Sequence, residues 1–202
     1  MTATPPTLPP AAAAPVLSEQ HLRQLEAARV TGRRIARAVA IARFDGWSVA
    51  VVAGLTLLFG FTSVSAIAMA AGLGTIAFIE LRGAAALRRL DPAAPRSMGF
   101  NQIALAAILI VYALWRIYTT LTGPGVYAEA AATDPALAKA LVPMEDLMRL
   151  VTLAANAGLI AVALLAQGSL AAYYFSRAKH VHAYLAQTPA WVVAVQKSGS
   201  TF

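Results

Sequence analysis

The chain contains no cysteine and very little charge. Without thiols there is no disulfide, no thiolate metal site, no iron–sulfur cluster and no covalently attached c-type haem, and the sequence carries no redox signature of its compartment. Histidine is nearly as scarce: His21, His180 and His182 are the whole complement, and none lies inside a long apolar run. That excludes a haem buried between two histidines. His180 and His182 are two residues apart, which on a helix separates them by about 200°; they make poor joint metal ligands. A nucleophile elbow, a phosphate-binding glycine loop and a zinc-type ligand spacing are all missing. The expectation is a protein that is not an enzyme, with no catalytic residue, no cofactor and no metal.

Charged residues are 12% of the chain, against roughly a quarter in soluble domains, while apolar residues reach 59%. What is present, therefore, is oil. From Trp47 to Ile79 runs a 33-residue stretch without charge, about 50 Å as a helix and too long for one crossing of a hydrocarbon core about 30 Å thick. Two spans, near 44–62 and 64–82, with a bend in the segment Phe61 to Ser65, fit better than a shallow re-entrant hairpin. A third run extends from Phe100 to about Leu121, where Gly123, Pro124 and Gly125 break it. The fourth covers Leu147 to Phe175. The fold class expected is all-α: an integral membrane four-helix bundle, with an amphipathic N-terminal helix and a short outer-face helix.

Sixteen Lys and Arg outnumber nine Asp and Glu. In a soluble chain that excess would suggest nucleic acid, but its distribution points to topology. Thirteen basic groups fall in the N-terminal arm, the 82–98 loop and the C-terminal tail, and only Arg116, Lys139 and Arg149 fall on the other side. The positive-inside rule then places both termini in the cytoplasm, in a bacterial inner membrane. The partners expected are the lipid bilayer and other membrane subunits or a second copy, with no nucleic acid.

The chain divides into four segments. Residues 1–16 hold five of the eleven prolines and read as an unpacked leader. Residues 17–43 read as a basic amphipathic helix capped by Ser18, with Leu22, Leu25, Ala28, Ile35 and Val39 on one face and Arg29, Arg33 and Arg37 on another. Residues 44–176 form the membrane domain and 177–202 the tail. On the outer side, Pro135 starts a short helix that Pro143 ends, with Leu137, Leu141 and Val142 pressing it onto the bundle as a lid.

The polar groups within the spans are the candidate sites. Arg116 lies near the outer end of the third span among Tyr112, Trp115 and Tyr118, the setting of a snorkelling interfacial anchor; the competing reading pairs it with Glu145 or Asp146. Asn156 and Gln167, eleven residues apart, share a face of the fourth helix and suit interhelical hydrogen bonds. Glu80 reads as a boundary residue able to pair with Arg82 or Arg43, and with Asn101 and Gln102 at the same depth it can form a polar layer on the cytoplasmic side. The small pairs Ala50/Gly54, Ala70/Gly74 and Ala154/Gly158 suggest close helix packing. Arg29, Arg33, Arg37, Arg88, Arg89 and Trp191 make up a candidate docking surface. The function expected first is a non-catalytic accessory, scaffold or assembly subunit of a larger membrane complex. The alternative is a small oligomeric transporter or channel using polar groups of the third and fourth spans.

Overall fold

Four long apolar helices account for most of the chain. The computed structural model describes residues 18–125, 127, 128, 132 and 135–198, with the side chains of 135–142 left out. Helix α1 (Glu19–Gly60) is followed by α2 (Val64–Arg88) and α3 (Ala94–Thr122). A fourth rod comprises α4 (Pro135–Val162), a π-helical turn at Ala163–Gln167 and α5 (Gly168–Gln187); a short α6 (Ala190–Lys197) closes the described chain. By length and composition, four of these helical stretches can cross a membrane. The leader at 1–16 lies outside the described residues, as do Glu129, Asp134 and the side chains of the expected lid.

Helix α1 begins where the Oγ of Ser18 accepts the His21 N–H at 3.3 Å, satisfying one of the free donors of the first turn. The expected amphipathic arm and first span are one unbroken helix of 42 residues: no proline lies between Arg34 and Trp47, and the Asp45–Gly46 pair is carried through as helix, Gly46 packed against Leu81. Its arm buries Ala28, Ile35, Ala38, Val39 and Ala42, at helical spacing, while Leu22 stays exposed. The bend falls at 61–63, where the Ser63 N–H closes on the Gly60 carbonyl at 2.9 Å. With 25 residues, α2 is about 37 Å long, enough for a full crossing.

The α2–α3 connection is held by Leu90, whose φ of 60° is a left-handed conformation that a side chain ordinarily resists. Leu90 is nevertheless 6% exposed, so burial of its side chain holds the backbone there. Asp91 completes the turn, donating its N–H to the Ala86 carbonyl at 3.1 Å and accepting the Ala93 N–H at 2.9 Å. Pro95 then occupies the first turn of α3, where a missing N–H costs nothing.

The outer-face helix is not separate. Pro143 lies inside α4 rather than at its end, so the segment starting at Pro135 runs straight into the fourth span. A single proline removes one backbone hydrogen bond and kinks a helix without stopping it, and membrane helices tolerate this.

Two apolar cores are stacked along the bundle. The basal core joins Ala28 through Ala42 of α1, Ala84, Leu87 and Leu90, Ala94 and Met98 of α3, Tyr174, Val181 and Tyr184 of α5, and Val192 of α6. The distal core is smaller: Ala53, Leu73, Ile76 and Leu105, with Val49, Met69, Ile108 and Leu109 against it. Around the basal core α1, α2, α3 and α5 form a ring, whereas α4 packs chiefly on α3.

In lipid, helix association depends on close packing more than on expulsion of water, and three glycines supply it. A Cβ at Gly46 would sit 2.9 Å from the Leu81 side chain, one at Gly83 2.6 Å from Met98, and one at Gly99 2.8 Å from the Phe175 ring. The three therefore set the α1–α2, α2–α3 and α3–α5 approaches. The small-residue pairs expected to do so do not: Gly54, Gly74 and Gly158 face open space. Gly99→Ala is expected to destabilise the purified protein by about 1–3 kcal/mol, read as a lowered midpoint of thermal unfolding in detergent. Gly54→Ala should leave that midpoint unchanged or raise it slightly.

Candidate functional site

Between the two cores lies a layer of polar side chains drawn from all four rods. Asp45 on α1 and Glu80 on α2 stand at nearly equal distances along the chain from the turn at 61–63, so an antiparallel hairpin brings them to one depth. Asn101 and Gln102 come from α3, and Tyr174 from α5. Glu80 is 1% exposed, Asn101 5%, and Gln102 and Tyr174 are fully buried.

The α3 amides feed the two carboxylates. Asn101 Nδ2 donates to Glu80 Oε2 at 2.9 Å and to the Ile76 carbonyl at 3.1 Å, which uses both of its N–H groups. Gln102 Nε2 donates to Asp45 Oδ2 at 2.6 Å, the short distance of a charge-assisted bond. Successive residues on a helix point about 100° apart, so Asn101 turns toward α2 while Gln102 turns toward α1. Three buried oxygens, Glu80 Oε1, Gln102 Oε1 and the Tyr174 hydroxyl, close no hydrogen bond of good geometry, although Tyr174 and Gln102 stand near enough to Glu80 to act on its carboxyl, as does the charge of Asp45.

No described basic side chain compensates the acids. Glu80 pairs with neither Arg82 nor Arg43, and the only ion pair among the described residues is Arg23–Glu19 at 3.6 Å, on the surface. Glu80 is enclosed by the bundle, and the polar layer expected with Asn101 and Gln102 is present. Buried carboxylates without a cationic neighbour are costly unless something neutralises them. The set is all oxygen, two carboxylates with an amide carbonyl and a phenol nearby, and such ligands suit a proton or a small hard cation. Among the described residues no group of three or more His, Asp and Glu is placed to hold a metal ion, and no nucleophile–base pair accompanies the layer.

The other candidate residues are dispersed. Arg116 is exposed and makes no ion pair with a described residue; Tyr112 and Trp115 pack near it with ring centroids 6.2 Å apart. Glu145 accepts the Tyr127 N–H at 3.0 Å, tethering the chain beyond α3 instead of meeting Arg116, and Asp146 is exposed. Asn156 turns back on its own helix, donating to the Thr152 carbonyl at 2.8 Å. Beyond Asn156 the helix passes into the π turn, which contains Gln167. Gln167 Oε1 is buried without a partner.

Trp191 is engaged within the chain. Its Nε1 donates to Gln24 Oε1 at 2.9 Å and its ring meets His21 edge-on at 5.0 Å, so the tail folds back on α1. Arg29, Arg88 and Arg89 are exposed, while Arg33 and Arg37 border a cavity with Arg34 and Arg177.

Asp45 and Tyr174 are the members of the layer that sequence reasoning missed. The signal for Asp45 was its mirror position: it and Glu80 bracket the uncharged 47–79 run, and a hairpin folds such a pair together. Tyr174 carried no comparable signal, being one of three consecutive aromatics.

Compared with protein-family models, with curated proteins and with solved structures, the chain matches none.

The layer makes a direct prediction. Asn101→Leu removes the donor to Glu80 and should cost about 1–3 kcal/mol, measured as a loss of thermal stability in detergent. Asn156→Leu, which breaks only a bond within its own helix, should change stability by less than about 1 kcal/mol.

Proposed function

We propose that the protein is a small transporter or channel that binds a proton or small hard cation at the Asp45–Glu80–Asn101–Gln102 layer and acts as a self-associated assembly. The observation carrying this reading is a buried acid, Glu80, with the half-buried Asp45 near it, that no described arginine or lysine neutralises. Intramembrane carboxylates are expensive and characteristically mark ion pathways and proton relays. The third span supplies the two amides; the fourth supplies Tyr174 in the layer and Gln167 about two turns away, within a π turn of the kind often found at functional positions. Four helices enclose little interior, so self-association would complete the path.

In this reading both termini lie in the cytoplasm of a bacterial inner membrane, as the distribution of arginine favours. The polar layer then sits toward the inner leaflet, and residues 17–43 and 177–202 form a basic cytoplasmic face.

A second reading, an accessory or assembly subunit of a larger membrane complex, has one specific observation in its favour. In the most apolar stretch of the fourth rod only 6% of residues are buried, against 22 to 33% in the other three helices. A span so little covered by its own bundle suits a neighbouring subunit as well as lipid.

Reconstitution into liposomes separates the two readings. Purified protein is expected to pass protons, sodium or potassium down an imposed gradient, and Glu80→Gln and Asp45→Asn should each lower that flux at least tenfold with helical content unchanged. Arg116→Gln should retain it. Flux in the Glu80→Gln and Asp45→Asn variants equal to that of the parent, or no flux of any of the three ions, would reject transport and leave the accessory role.

A further inference from the structure

A second site of opposite polarity lies between α1 and α5, below the carboxylate layer. Arg33, Arg34 and Arg37 of α1 and Arg177 of α5 line a cavity of about 490 Å³ together with Val30 and Tyr173. No carboxylate lines this cavity, and none of the four guanidinium groups forms an ion pair with a described residue. Four like charges around one concavity repel one another unless an anion is shared between them.

Two further details point to a ligand. The Arg177 guanidinium carbon stands 4.4 Å from the centre of the Tyr173 ring, a cation–π contact that fixes its plane without using its donors. Arg177 Nε is enclosed against the bundle, so the terminal nitrogens of its guanidinium are the donors left to face a guest. Arginine forks match the oxygens of a phosphoryl group two at a time.

We infer that this cavity is a binding site for a phosphoryl group, held by Arg33, Arg34, Arg37 and Arg177, with the Tyr173 ring fixing the Arg177 fork. The phosphoryl group comes either from the headgroup of an anionic phospholipid or from soluble phosphate; the residues recognise the chemistry the two share. Basic pockets beside membrane helices bind lipid headgroups in this manner. The site is independent of ion passage through the layer above it, and its occupancy can be measured on a protein that transports nothing.

The test uses the full chain in a neutral detergent, with phosphatidic acid and inorganic phosphate as separate probes and phosphatidylcholine as the blank. Native mass spectrometry and thermal unfolding read occupancy. Saturable retention of phosphatidic acid, with inorganic phosphate ineffective, supports the site and assigns it to lipid; saturable stabilisation by inorganic phosphate assigns it to the soluble anion. In either case Arg33→Gln with Arg37→Gln should weaken binding at least tenfold, and Tyr173→Leu, which removes the ring under Arg177, should weaken it by a smaller factor. The charge-matched control, Arg88→Gln with Arg89→Gln, should bind as the parent does. Absence of saturable binding of both probes, or equal loss in the control, would overturn the inference. Because the substituted arginines at 33 and 37 are exposed, unliganded thermal midpoints close to the parent's are expected, and these verify that lost binding is not lost fold.

Discussion

A carboxylate enclosed within a bundle of oil-like helices, Glu80, with a second half-buried beside it, Asp45, must be satisfied largely from inside, and much of this structure answers that requirement. Asp45 and Glu80 are brought to one depth by the α1–α2 hairpin, and only a third helix can then reach both. Helix α3 does so with two adjacent amides, Asn101 aimed at one acid and Gln102 at the other. Glycines lie within three residues of the layer on each of these helices, at 46, 83 and 99, and let the backbones close to the distance that such short bonds demand. Polar bonding and close packing are thus one arrangement: a methyl group at any of these glycines would push apart the groups that the amides join.

The layer also divides the bundle into unequal halves. Below it, α1, α2, α3 and α5 surround a continuous apolar core, reinforced by α6 folding back onto α1. Above it the core shrinks to a few residues and α4 leans chiefly on α3. The boundary itself lies between a well-packed base and a sparsely packed upper half. Negative charge without a described counter-charge sits inside the bundle, and positive charge in the same condition surrounds the cavity near its base. The two sites call for opposite ligands and share the α1 and α5 scaffold.

Much of the architecture was legible from hydropathy alone. Span number, the bend after Gly60 and the end of α3 at Gly123 rest on long apolar runs and on glycine–proline breaks, which local chemistry dictates. Pro143 misled because proline reads as a stop in water, whereas a helix in a membrane-type bundle continues through it. The Gly54, Gly74 and Gly158 pairs misled for a different reason. Spacing shows which small residues share a face, but only the tertiary arrangement decides which face meets a neighbour. Asn156 shows a related limit, since its amide closes on its own helix at the Thr152 carbonyl instead of on a neighbour. Of the layer, Glu80, Asn101 and Gln102 could be placed by depth. Asp45 needed the symmetry of the hairpin, and Tyr174 needed the path of α5.

Infrared difference spectroscopy of the reconstituted protein, on exchange between proton- and sodium-rich buffers, interrogates the enclosed acids most directly. An ion-sensitive carboxyl band that disappears in Glu80→Gln is the expected result. A spectrum with no ion-dependent carboxyl signal, or one that survives the loss of both Glu80 and Asp45, would contradict an ion-binding layer at the heart of this bundle.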